Sequence, residues 1–149
     1  MHTLNSEITH YLTELMAHET GRESRQRVLA ATSRQQSLNQ LAEALADFAL
    51  TIGPLRQQGG AGSLVTSLIE GLDTLIGVAA DASENNDPLD SRMLATMTSD
   101  RGDLLDSMRH AVVHRPEGST AESASGESAL LYALSLFERA VWLVRQLRL

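Results

Sequence analysis

The sequence contains no cysteine. Disulfides, thiolate metal sites and cysteine nucleophiles are thereby excluded, and a reducing compartment is compatible with the chain. Aromatic residues are nearly as scarce, with one Trp, two Tyr and two Phe. A core for 149 residues must then be built from Leu, Ala, Val, Ile and Met. That supply favours helices, because strands draw on β-branched and aromatic side chains. Positive charge is also in deficit: 12 Lys and Arg stand against 19 Asp and Glu, a formal net charge of −7. An acidic chain without basic or aromatic clusters is not expected to bind nucleic acid. No run of eighteen apolar residues occurs, so no membrane span is expected in this chain. The opening "MHTLNSEITHYL" lacks the cationic start and apolar stretch of a signal peptide. The expected location is cytoplasmic. The length suits a single domain over residues 1–149, and the apolar fraction of 42% is that of an ordinary globular protein.

Apolar residues recur at helical spacing throughout. A first helix is expected over 5–18, with Leu4, Ile8, Tyr11, Leu12, Leu15 and Met16 on one stripe. A second is expected over 23–52. There Val28, Ala31, Gln35, Leu38, Ala42, Leu45, Ala49 and Ile52 alternate by three and four as in a coiled-coil seam, and Gly53-Pro54 stops the helix. A third spans 64–83, burying Val65, Leu68, Ile69, Leu72, Leu75, Ile76 and Ala79, with Gly71 and Gly77 marking close helix contacts. In "NNDPLD", Asp87 is a cap, Pro88 suits a first helical position and Asp90 suits the positive end of the dipole. The fourth helix then runs to Val113 with Leu89, Met93, Met97, Leu104, Met108 and Val112 on its face and a kink at Gly102. "HRPEGSTAESASGES" reads as a loop. A fifth helix over 127–147 carries a wide apolar arc that includes Leu130, Leu131, Leu134, Phe137, Val141, Trp142 and Val144. The fold expected is an all-α antiparallel bundle of about five helices.

Carboxylates on apolar faces are the first candidates for function. Asp100 lies within the helix-four arc and Asp103 on its edge, while Glu138 lies on the edge of the helix-five arc. A carboxylate removed from water needs a cation, a donor or a metal. Arg101 and Arg139 are the basic groups nearest in sequence, each placed to reach another helix. Asp100, Arg101, Asp103, Glu138 and Arg139 are therefore expected to form an interhelical polar network.

The stretch "Phe137-Glu138-Arg139-Ala140-Val141-Trp142" is similar to the L-E-R-I-G-D signature of PhoU-like helical proteins, and "Met97-Thr98-Ser99-Asp100-Arg101-Gly102-Asp103-Leu104-Leu105" is similar to that family's D-x-x-I/V-D pattern. Residues 64–148 thus resemble one three-helix repeat. Residues 5–52 resemble the end of another, where Glu43 and Asp47 match an E-x-x-x-D spacing. PhoU-like domains occur as free regulators of phosphate uptake and as the cytoplasmic C-terminal part of sodium–phosphate cotransporter-like proteins. The resemblance implies a non-enzymatic regulatory or dimerisation module of a phosphate-type anion transporter, a homodimer partnered by a membrane-embedded portion or subunit and tethered to the inner membrane within a longer chain. Some members bind metal clusters through these motifs. Here Trp142 stands where the second motif ends in aspartate, which removes an oxygen ligand, and no cofactor is expected.

Two further sets have ligand-like spacing. His10, Glu14 and His18 recur every four residues on the first helix, and Asp106, His110 and His114 do so on the fourth. Glu7 and His10 also match the E-x-x-H half of a di-iron bundle site, without a second half. Glu43 and Asp47 lie roughly opposite the helix-two seam. All are read as solvated helix faces, with metal binding as the alternative. Arg101-Gly102-Asp103 is a chance adhesion tripeptide within a helix, and "GGAG" lacks the lysine of a phosphate loop. A metal-binding bundle and a free helical adaptor for a signalling or secretion partner are the readings beside the transporter module.

Overall fold

A computed structural model describes residues 2–19, 21–56, 62–85, 88–99, 106, 110 and 121–147. The described residues form an all-α bundle: α1 (His2–His18), α2 (Arg22–Leu55), α3 (Gly62–Asn85), α4 (Pro88–Thr98) and α5 (Ala121–Leu147). No strand occurs among them. Many mid-helix Ser and Thr are accommodated by donating back to the carbonyl four residues earlier, as Thr9 does to Asn5 at 2.8 Å and Thr51 to Asp47 at 2.7 Å. Thr98, a polar residue buried in the bundle, does the same to Leu94 at 2.8 Å, so its burial leaves no orphaned hydroxyl.

One core joins α2 to α5. It takes Leu41, Ala44, Phe48, Ile52 and Leu55 from α2, and Val65, Leu68, Leu72, Leu75, Ala79 and Ala82 from α3. Leu94 comes from α4, and Leu130, Ala133, Leu134, Leu136, Phe137, Ala140, Leu143, Val144 and Leu147 come from α5. The dominant pairing is α2 on α5; α3 and α4 pair with each other and both touch α5, while α2 and α3 barely meet. α1 packs chiefly on α2, and no described α1 side chain is fully buried. The Gln35 amide donates to Asn5 Oδ1 at 3.0 Å, which fixes α1 antiparallel along the first half of α2. α1 and that half of α2 therefore form a two-helix arm on the main core.

Several expectations are corrected. Gly53-Pro54 does not end α2, which runs to Leu55. A residue before proline is pushed out of helix by a clash at its N–H and its Cβ, and Gly53 lacks the second; burial of Ile52 and Leu55 then holds the last turn, and Arg56 N donates to Ile52 O at 3.1 Å. The heptad-like seam is not the buried face of α2: Leu38 is 48% exposed, and Ala42 and Ala49 are exposed. At about 100° per residue, Val28 and Phe48 point roughly 160° apart, so the two halves of α2 bury different faces. α4 ends at Thr98, not Val113, and turns Leu94 and Thr98 inward while Leu89 and Met93 are exposed. Asp106 and His110 are helical; Leu104, Met108 and Val112 lie outside the described residues. The serine-rich stretch is helical from Ala121 onward.

Of the α3 glycines, Gly71 faces the Phe137 ring, where a Cβ would meet Cε2 at 3.4 Å, but a Cβ at Gly77 would meet nothing within 4 Å. By length and composition alone Ser63–Glu84 of α3, with mean hydropathy 1.4, is long and apolar enough to cross a membrane, as the core helix of a bundle can also be. One side of it is packed in the core, and Asp73 and Asp81 are exposed on the other. Urea unfolding should separate the roles of helix propensity and core packing. Gly77→Ala is expected to stabilise the chain by ~0.5–1 kcal/mol, because helix propensity rises and the added methyl displaces no neighbour. Leu134→Ala, at the centre of the core, is expected to cost ~2–5 kcal/mol.

Candidate functional site

Glu138 sits on α5 between core positions Phe137 and Ala140, is half-buried, and does not stand free. Arg139 beside it is exposed. Asp100, Arg101 and Asp103, its expected network partners, lie outside the described residues. Trp142 is not part of the buried arc: it is 56% exposed, as is Tyr132 at 53%. The reason is angular. The arc spans Leu130, Ala133, Leu134, Phe137, Ala140, Val144 and Leu147, and Trp142 falls beyond its edge on the face that carries Tyr132 and Arg139.

Glu43 and Asp47 are exposed on α2, the solvated face expected of them. His10 and Glu14 are exposed and meet at 3.3 Å, an i, i+4 contact along one helix face; His18 is exposed at the end of α1. Asp106 and His110 are exposed, and His114 lies outside the described residues. Among the described residues, no three His, Asp or Glu side chains come together as a metal-holding group.

One concavity among the described residues lies elsewhere. Because α2 and α3 barely touch, a groove of about 420 Å³ stays open between them. Phe48 and Leu72 form part of its lining, with Leu45, Ala49, Ile52 and Gly53 from α2 and Ile69 and Ile76 from α3. Arg56 and Asp73 also line it, both exposed. Neither side chain takes part in an ion pair among the described residues. The volume is in the range of ligand pockets, but the lining offers no nucleophile, histidine or converging donors. Its lining is mostly apolar. A smaller cleft of about 190 Å³ between Leu94 and Thr98 of α4 and Val144 and Arg145 of α5 offers less. Arg56 and Asp73 were not marked by any motif. The signal that pointed to this surface was the three-four alternation of α2, whose Leu45, Ala49 and Ile52 line the groove.

Comparison with known proteins gives no matching family model, no matching curated protein and no matching solved structure.

Glu138→Gln tests the polar role of α5. Loss of the charge from this half-buried residue, which does not stand free, is expected to lower stability by about 0.5–1.5 kcal/mol. Arg139→Gln, on the exposed face, is expected to stay within about 0.5 kcal/mol of the parent. An unchanged urea midpoint for the Glu138 variant would remove that carboxylate from the stability of the bundle.

Proposed function

We propose that this chain is a non-enzymatic, cytoplasmic regulatory and dimerisation module of a phosphate-type anion transporter. The observation that carries the reading is the stretch "FERAVW", similar to a PhoU-like signature. It lies on α5, the helix against which α2, α3 and α4 all pack. In such a position a single carboxylate can tie the central helix to its neighbours, and a change at that contact is felt by the whole bundle. An all-α bundle with an open apolar groove and no assembled catalytic group among the described residues is the kind of scaffold that acts by docking. Regulation of a transporter needs nothing more: a module that binds two states of its partner unequally shifts the balance between them.

Radiolabelled phosphate uptake in the source cells tests this. Deleting the coding region for these residues is expected to change the rate of uptake or its response to external phosphate, and Glu138→Gln is expected to produce part of that change. Uptake identical to the parent across a range of phosphate concentrations would reject the transporter reading. A neighbouring or continuous coding region for membrane-spanning segments is expected as well.

A further inference from the structure

We propose that α1 is a strap: it lifts from α2 while the core of the bundle stays folded, and so uncovers Val28 and the first half of the α2 seam. The inference rests neither on the transporter reading nor on the groove.

Three observations carry it. The first is that the hold on α1 is slight. Its inner stripe is Asn5, Ile8, Leu12, Leu15 and Met16, and each of these is only half-buried. Leu4 and Tyr11, at the edge of the same stripe, are 62% and 60% exposed. α1 packs chiefly on α2, and among the described residues the one side-chain hydrogen bond between the two helices runs from Gln35 to Asn5 at 3.0 Å. Local opening is easiest where buried apolar contact is sparse.

The second is that α1 has little hold on its own helix. Its sequence, HTLNSEITHYLTELMAH, is rich in Thr and His, which are weak helix formers. Thr9 and Thr13 each donate back to the carbonyl four residues earlier at 2.8 Å, a bond that mildly disfavours helix. An isolated helix of this length is marginal in water, so α1 stays helical mainly by lying on α2. Lifting and unfolding of α1 are therefore one event.

The third is what lies underneath. Val28 is the one buried α2 residue outside the main core. The bond between Asn5 and Gln35 sets the register of the antiparallel pair, and about two turns further along each helix Leu12 and Val28 stand at the same level. Among the described residues Val28 thus owes its burial to α1. The core begins at Leu41, about 20 Å further along α2 at 1.5 Å per residue. Leu38, Ala42 and Ala49 are exposed with α1 in place, and its removal extends that open seam back to Val28. α1 decides whether α2 shows a short apolar stretch or a long one.

The chain has no cysteine, so a single introduced thiol reports its own exposure. The experiment makes Val28→Cys, Val144→Cys and Ser135→Cys singly in the full chain and follows their reaction with an aromatic disulfide reagent without denaturant. Val28 is 8% exposed and Val144 0%, while Ser135 is exposed and serves as the open reference. The thiol at position 28 should react about a hundredfold or more faster than that at 144, and about tenfold or more slower than that at 135. Adding Leu12→Ala should speed the reaction at 28 by about tenfold and leave that at 144 unchanged. Hydrogen exchange of the parent makes the same comparison without a thiol: α1 amides should be about a hundredfold less protected than those of α5. Equal rates at 28 and 144, or equal protection of α1 and α5, would mean that α1 opens only with the whole bundle and would overturn the inference. So would a rate at 28 equal to that at 135, which describes a strap that never closes. A Leu12→Ala effect shared by 28 and 144, or absent from both, would overturn it as well. Phosphate uptake enters none of these readouts, so the transporter reading stands or falls separately.

Discussion

Burial of one stripe of α5 holds this bundle together. Ala133, Leu134 and Val144 are fully enclosed, Ala140 and Leu143 nearly so, and α2, α3 and α4 each close on this helix. At about 1.5–3 kcal/mol for each large apolar side chain removed from water, the stripe is the largest concentrated source of stability in the chain. The alternation of Ala133 and Ala140 with Leu and Phe matters as much as the area. Small residues allow close helix approach, and Phe137 meets Gly71 of α3. Two of the five aromatic residues, Phe48 and Phe137, are in the core, while Tyr11, Tyr132 and Trp142 are exposed.

The helices were legible in the sequence because the apolar period is close to 3.6 in every segment, and little else competes with it. Pro88 at the first position of α4 and Asp90 in its first turn could also be read directly. What misled was local punctuation. Gly53-Pro54 reads as a stop, but α2 continues to Leu55, with Ile52 and Leu55 buried. The serine-rich stretch reads as loop, yet α5 begins within it. Faces were harder than elements. On α4 the methionines suggested one face, and the buried one is set by Leu94 and Thr98, a polar residue that satisfies itself on its own helix. On α5 an arc drawn wide enough to include Trp142 overran its true edge.

The candidate sites show the same limit. A motif marks residues close in sequence, so Glu138 could be singled out, and it lies half-buried on α5. Arg56 and Asp73 belong to one groove only because α2 and α3 run back along each other with a particular register. No local pattern reports that. The histidine triplets are the converse case: the spacing was clear, but spacing along one exposed face brings only neighbours such as His10 and Glu14 together, and no third group converges on them among the described residues.

α2 shows why a correct period can still give the wrong partner. A strict seven-residue repeat drifts on a straight helix by about 20° per heptad, so over three heptads the seam turns roughly 60°. It starts against α1 and ends on the α2–α3 groove, while α5 takes the face carrying Leu41, Ala44, Phe48 and Leu55. The single helix thus serves three contacts at different angles, and the arm and the core can share it without competing. Polar residues mark the division. Gln35 sits in the seam, donating to Asn5 at 3.0 Å and to Asn39 at 3.4 Å, just before the core begins at Leu41. A polar layer at a seam position sets register at some cost in stability. Here it fixes α1 at one height on α2, so the apolar seam beyond it stays uncovered by the arm.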